Sequence, residues 1–197
     1  MIEVEKKFQP VEEQKEKLLE GATLISEKQV VDIYYDTPSF ELAKKNMWLR
    51  NRDDSWELKI YLNKDIAEEI IDETEILKRI NRENFSQFAD FAKEELSILG
   101  KILTNRKKYH KEGFILDFDE TDFGVNKLDI ELQLLDNSTE DEIKEAQEKI
   151  LRFTSQFGIP EVELPLKPIM YLEKMRPDIF RKIFGADERN NELNKLK

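Results

Sequence analysis

Cysteine is absent from this 197-residue sequence and histidine occurs once. The first absence excludes disulfides, thiol nucleophiles and thiolate-held metals, and the second makes a zinc centre of the usual kind implausible. Glycine and proline are scarce at six each, and neither a low-complexity linker nor a repeat of solenoid period interrupts the chain. No apolar run approaches membrane-spanning length, and charged residues from Glu3 onward stand where a signal peptide would have its apolar core. The expected location is therefore cytoplasmic, with no membrane partner. Positive charge is in deficit, with 32 Lys and Arg against 43 Asp and Glu and a formal net charge of -11. That balance argues against nonspecific attraction to nucleic acid. Metals held through oxygen remain open.

What the sequence has in plenty is charge, 38% of its residues, together with 12 Phe, 5 Tyr and 2 Trp, enough aromatics to argue against disorder. We expect one folded domain over 1–185, a polar, frayed tail over 186–197, and a monomer. The charge is patterned. In residues 1–8, period two sets Glu3, Glu5 and Lys7 on one face of a strand and Ile2, Val4 and Phe8 on the other. Pro10 is expected to open a short helix that stops at Gly21, and the β-branched and aromatic run from Thr23 to about Asp36 reads as a strand ended by Thr37-Pro38. Residues 39–46 read as a capped helical turn. Met47 to Asp53 and Ser55 to Leu62 read as a hairpin about Asp53-Asp54, with Trp48, Arg50 and Arg52 sharing a face, and Glu57, Lys59 and Tyr61 opposite Trp56, Leu58, Ile60 and Leu62.

Residues 67–80 read as a short strand through Glu69-Ile70-Ile71 and then a helical turn. From Asn84 to Gly100 a helix is expected, its stripe of Phe85, Phe88, Phe91, Ala92 and Leu96 facing the core. Three strands follow: Lys101 to Lys111 with Thr104, Arg106 and Lys108 on one face, Phe114 to Glu120 with Asp117 and Asp119, and Lys127 to Leu135 with Asp129, Glu131 and Gln133. Residues 139–157 form the clearest helix, with Thr139 as N-cap and an acidic first turn. Lys167, before a proline, is expected to be extended, and a last helix runs from Ile169 to about Phe184 with a break at Pro177.

About eight antiparallel strands thus carry charges on one face and apolar residues on the other. If the apolar faces packed on each other, the amphipathic helices would have no apolar sheet left to cover. The pattern therefore predicts an α+β fold: a closed antiparallel β-barrel whose charged side lines a tunnel and whose helices pack outside. Buried charges of both signs need pairing or a complementary guest. Arginines alternating on a strand are roughly 6.5 to 7 Å apart, which suits successive phosphoryl groups. Carboxylates without soft ligands select Mg²⁺ or Mn²⁺, so a polyanion with a divalent cation would satisfy both sets.

The motifs resemble a family. Glu3-x-Glu5-x-Lys7, Tyr35-Asp36-Thr37-Pro38, Leu49-Arg50-x-Arg52, Trp56-Glu57-Leu58-Lys59, Thr104-x-Arg106, Asp117-x-Asp119 leading to Asp122-Phe123-Gly124, and Asp129-x-Glu131 occur in the order of the CYTH, or triphosphate tunnel metalloenzyme, superfamily. Trp48 before Leu49-Arg50-Asn51-Arg52, and Lys167-Pro168-Ile169-Met170-Tyr171-Leu172 before Arg176-Pro177, are most similar to the thiamine triphosphatase branch. The resemblance implies a Mg²⁺-dependent hydrolase, with Mn²⁺ an alternative ion, that cleaves the terminal phosphoanhydride. It implies Glu3, Glu5, Asp117, Asp129 and Glu131 as metal ligands. It implies Lys7, Arg50, Arg52, Lys59, Arg106 and Lys167 on the triphosphate, with Trp48 stacked on thiamine, and Asp129 reaching its site through water because its arm is one methylene shorter than the family's glutamate. Lys7, Arg50, Arg52 and Glu131 are the implied catalytic set. Asp119 is read as supporting a ligand from behind, and His110 as a surface residue. The family also admits inorganic and nucleoside triphosphatases and adenylyl cyclases as alternatives, and outside enzymes the pattern suits a noncatalytic polyphosphate-binding module.

Overall fold

A computed structural model describes residues 2–63, 65–135, 137–162 and 164–185; the tail over 186–197 lies outside the described residues. The elements in order are β1 (Ile2–Phe8), α1 (Glu12–Leu19), β2 (Thr23–Asp36), a 3₁₀ turn (Ala43–Lys45), β3 (Met47–Arg52), β4 (Ser55–Asn63), β5 (Ile66–Ile70), α2 (Glu73–Arg79), α3 (Phe88–Glu95), β6 (Ser97–Lys111), β7 (Phe114–Thr121), β8 (Asn126–Leu134), α4 (Glu140–Ser155), α5 (Lys167–Met175) and α6 (Pro177–Phe184). The strands close into the antiparallel barrel that the alternation predicts, in the order β1-β5-β4-β3-β2-β6-β7-β8, with the helices outside. Among the described residues no helix is long and apolar enough to cross a membrane. Among the described residues two compact units share the strands: those within 2–30 and 103–164, and those within 31–102 and 165–185.

In the first unit β1 pairs with β8, β8 with β7, and β7 with β6, all antiparallel. The apolar face of these strands, Val4, Phe8, Leu116, Leu128 and Ile130, packs on Leu18 of α1 and on Ala146, Ile150 and Phe153 of α4. Phe114 stacks on Phe153 with ring centroids 4.3 Å apart. Each such side chain contributes about 1.5–3 kcal/mol on burial, so this face is committed to the helices and the charged face must turn the other way. α4 starts where expected, through a reciprocal cap: the Glu142 N–H donates to Thr139 Oγ1, and the Thr139 N–H donates to the Glu142 carboxylate. α1 starts later than Pro10 predicts, with Val11 as its N-cap.

In the second unit β2 pairs with β3, β3 with β4 and β4 with β5. The hairpin turns at Asp53 and Asp54, both at positive φ (50° and 63°), the geometry whose twist suits a tight two-residue connection. Leu49, Leu58, Ile60 and Ile70 pack on Ile76 and Leu77 of α2 and on Phe88 and Phe91 of α3, so the aromatic stripe faces the core as expected. The helix expected over 84–100 is shorter, however, and β6 already begins at Ser97. Gly100 sits inside that strand and is no helix stop. A Cβ on it would lie 2.4 Å from Cε1 of Tyr171, so the glycine admits the aromatic ring of α5. Lys167 also departs from expectation: it is the first residue of α5, and Leu166 (ψ 145°) takes the extended geometry at the helix entrance. The break at Pro177 separates α5 from α6 as predicted.

Candidate functional site

The charged face of the first unit is set by strand register. Glu5 lies opposite Glu131, Lys7 opposite Asp129, Asp117 opposite both Asp129 and Lys108, and Arg106 opposite Asp119. Glu3, Glu5 and Glu131 converge, offering carboxylate oxygens that all lie within 4.8 Å of one another. Lys7 Nζ reaches Glu5 at 2.6 Å. The donor set is wholly carboxylate oxygen, and that chemistry fits a hard divalent cation such as Mg²⁺ or Mn²⁺.

The aspartates of the same face are placed differently. Arg106 donates from Nε and Nη2 to the two oxygens of Asp119, at 2.6 and 2.7 Å, and its Nη1 is 2.5 Å from Asp117. Lys108 Nζ is 3.2 Å from Asp117. Burial would lower the Arg106 pKa, but Asp119 and then Asp117 and Asp129 hold the guanidinium above its ordinary value. Lys127 Nζ donates to Asp129 Oδ2. Asp129 Oδ1 and Asp117 Oδ1 are buried without a hydrogen-bond donor, while Asp117 Oδ2 meets Arg106 and Lys108 as ion pairs outside hydrogen-bond geometry.

On the second unit's charged face, Trp48, Arg50 and Arg52 follow one another on β3, with Lys59 opposite Trp48 and Glu57 opposite Arg50 on β4. Arg50 donates from Nη2 to Glu57. Asp32, fully buried on β2, accepts from Arg52 Nε and Nη2 at 2.6 and 3.0 Å. Burial alone would raise the Asp32 carboxyl, but Arg50, Arg52 and Lys167 hold it down to about 2. Lys167 is buried at the start of α5. Lys59 Nζ lies 3.2 Å from Glu69 and 5.5 Å from the Tyr61 ring. Trp48 is only 2% exposed and meets Tyr34 edge-on, ring centroids 6.3 Å apart. Burial, and then Asp32, push the Tyr34 phenol above its usual range. Trp48 Nε1 and Arg50 Nε are both buried donors with no hydrogen-bond acceptor.

Each unit thus gathers the residues expected of it: Glu3, Glu5, Lys7, Arg106, Asp117, Asp129 and Glu131 in the first, and Trp48, Arg50, Arg52, Lys59 and Lys167 in the second. Among the carboxylates, the close group comprises Glu3, Glu5 and Glu131, and the two aspartates stand apart from it on basic partners. Three residues of these faces escape the motif reading: Asp32, Tyr34 and Lys127. The same period-two rule reaches all of them, since Asp32 and Tyr34 alternate along β2, and Lys127 precedes Asp129 by two on β8. His110 is exposed at the end of β6.

The CYTH domain family matches residues 1–165. The thiamine-triphosphatase of Homo sapiens is 29% identical over 217 residues, covering 95% of this chain and 91% of that protein. That of Macaca fascicularis is 28% identical with the same coverage, 95% and 91%. Among solved structures, a protein of Pyrococcus horikoshii OT3 superposes with a TM-score of 0.65 at 23% identity, over 87% of this chain and 99% of its own. A Hippeastrum protein, described as a putative adenylyl cyclase with a dominant triphosphatase activity, superposes with a TM-score of 0.54 at 20% identity, over 91% and 94% of the two chains.

Proposed function

The chain belongs to the CYTH family, and from that premise we propose that it hydrolyses the terminal phosphoanhydride of thiamine triphosphate, giving thiamine diphosphate and phosphate. The observation that carries the reading is a shortage of hydrogen-bond acceptors: Trp48 Nε1 and Arg50 Nε, on one face of one strand, are buried donors that make no hydrogen bond, the Asp32 carboxylate stopping 3.8 Å short of Arg50 Nε. An anionic guest supplies what they lack. The thiamine moiety enters from the likeness to the thiamine-triphosphatases.

The residues then divide the labour. Arg50 and Arg52 present planar guanidinium groups whose orientation is fixed by Glu57 and Asp32, so they are set before the substrate arrives. Lys59, Lys167 and Arg106 add positive charge for the non-bridging oxygens, and Lys7 lies on the carboxylate Glu5. Glu3, Glu5 and Glu131 would hold a Mg²⁺ or Mn²⁺ ion, which supplies Lewis acidity toward phosphate oxygens and acidifies water. In the reaction a water oxygen bonds to the terminal phosphorus while the bond to the bridging oxygen breaks. The leaving thiamine diphosphate carries away the bond's electron pair, the arginines neutralise its charge, and the proton that the attacking water sheds stays on the phosphate product or passes to solvent.

A second reading, cleavage of inorganic triphosphate, is favoured by the burial of Trp48, whose ring is 2% exposed. Phosphate release from thiamine triphosphate, inorganic triphosphate and ATP, measured with Mg²⁺ and with Mn²⁺, separates the two. Fastest turnover of thiamine triphosphate is the expected outcome. Equal rates on thiamine and inorganic triphosphate move the assignment to a general triphosphatase, cyclic AMP with pyrophosphate from ATP moves it to a cyclase, and tight binding without phosphate release removes the enzyme.

A further inference from the structure

Arg106 on β6 is held by a carboxylate outside the residues that would touch ion or substrate. Asp119, its partner in register on β7, accepts from Nε at 2.6 Å and from Nη2 at 2.7 Å. The Asp119 side chain has no exposed surface, whereas 13% of the arginine side chain is exposed, so what a guest can reach of this pair belongs to the arginine. Two parallel charge-assisted bonds fix the plane of the guanidinium and oppose its rotation about Nε–Cζ. The third nitrogen, Nη1, lies 2.5 Å from Asp117 Oδ2 as an ion pair outside hydrogen-bond geometry. The second unit repeats the device: Asp32, likewise without exposed surface, accepts from Nε and Nη2 of Arg52. Arg50 is held otherwise, with Nη2 on Glu57 and Nε in no hydrogen bond.

We propose that Asp119 is a positioning residue for the triphosphate chain: it locks the Arg106 guanidinium by Nε and Nη2 so that Nη1 is the edge offered to a phosphate oxygen. The inference rests on the proposed triphosphatase reading in taking the guest to be a triphosphate. Arg106 meets that guest through one nitrogen, because its two-point face is already taken by Asp119. A loose arginine would surrender rotamer freedom each time a guest binds, whereas one fixed beforehand surrenders it on folding. The charge of Asp119 works the other way. A carboxylate beside an anion site repels the anion, so on Coulomb grounds alone its removal should tighten binding. The two effects have opposite signs, and the sign of the change separates a positioning residue from a bystander.

The probe is the diimido analogue of inorganic triphosphate, whose P–N–P bridges resist hydrolysis, titrated with Mg²⁺ into the full chain by calorimetry. Asp119→Asn, which keeps the shape and removes the charge, should weaken its binding by about 5- to 10-fold, the scale of one well-placed hydrogen bond. In an Arg106→Lys background, where an ammonium cannot make the two-point contact, the same change should leave the affinity equal or tighter. Unchanged or tighter binding on Asp119→Asn alone, or an equal loss in both backgrounds, would overturn the proposal. Side-chain nitrogen NMR of the wild type decides the matter even where Asp119→Asn fails to fold, the Arg106 signals being assigned by their loss in Arg106→Lys. The two Nη groups should give separate signals, and the analogue should shift Nη1 while Nε stays in place. A single averaged Nη signal, or an Nε that moves with Nη1, means that the Asp119 grip is missing or gives way, and the proposal falls. A wild type that binds the analogue but releases phosphate from no triphosphate rejects the proposed hydrolysis and leaves this inference standing; one that does not bind the analogue overturns both.

Discussion

Arg52 donates from Nε and Nη2 to the two carboxylate oxygens of Asp32, which has no exposed surface. The consequence is an acid dependence of stability. Burial raises the Asp32 carboxyl, but Arg50 and Arg52 override it, so its pKa falls from 3.8 to about 2 on folding. A depressed carboxyl stabilises the fold fully above its unfolded pKa and loses that contribution as pH falls toward the folded value. The difference amounts to about 2 kcal/mol, lost between about pH 4 and pH 2. Urea midpoints measured across that window should fall more steeply for the wild type than for Asp32→Asn. Parallel curves would remove Asp32 from the account.

The same contacts predict the effect of losing either arginine. Arg50 lies against Glu57 with Asp32 at 3.8 Å, and Arg52 holds Asp32. Arg50→Ala and Arg52→Ala should lower kcat/KM by about 10²- to 10³-fold, the scale of a lost electrostatic stabiliser at a reacting centre. Arg52→Lys should recover little, because an ammonium cannot make the two-point contact with Asp32. Circular dichroism separates lost chemistry from lost fold. A near-wild-type rate in either folded alanine variant rejects the assignment.

Gly100 makes a prediction about the scaffold. A methyl group there would meet Tyr171 at 2.4 Å, within a strand that cannot step aside without losing its neighbours. Gly100→Ala should destabilise by about 1–3 kcal/mol, the usual cost of overpacking. Adding Tyr171→Ala should make the second step cost less than it does in the wild type, because the clash is gone. Additive losses in this double-mutant cycle would show that the two residues do not press on each other.

The barrel was legible because its signal is periodic and repeated: β1, β3, β4, β7 and β8 all alternate charge with apolar residues, and a single register fits each. Local competition defeated the reading elsewhere. The stripe from Phe85 to Leu96 contacts the core through a helix of only eight residues, Phe88–Glu95, with turns carrying the rest. Gly100 reads as a helix stop from local pattern alone, because the ring it makes room for lies 71 residues along the chain, at Tyr171. Motif spacing singles out Arg50, Arg52 and the glutamates, which the register sets on the charged faces. It missed Asp32 and Lys127, whose importance lies in which charge they neutralise. That information is tertiary: it exists only once the register sets Asp32 opposite Arg52 and Asp119 opposite Lys127.

Trp48 offers two chemically separable handles. Its indole N–H is a buried donor without an acceptor, and its ring, 2% exposed, rests against the edge of Tyr34. The N–H suits an oxygen of the phosphate chain that every triphosphate shares, whereas the ring suits only a substrate carrying a flat cationic heterocycle. Trp48→Phe removes the donor and keeps an aromatic face. It should slow thiamine triphosphate and inorganic triphosphate alike, by about 5- to 10-fold, the worth of one hydrogen bond in a dry site. Trp48→Ala removes both handles. It should cost thiamine triphosphate a further ~10-fold, the scale of a lost ring contact, while inorganic triphosphate falls no lower than in the Phe variant. Initial rates of phosphate release at subsaturating substrate read both effects. A Phe variant at wild-type rates on both substrates would leave Nε1 without a ligand. An Ala variant that treats the two substrates equally would leave thiamine recognition to other residues, because a ring that discriminates must be missed more by the substrate that has something to lay against it.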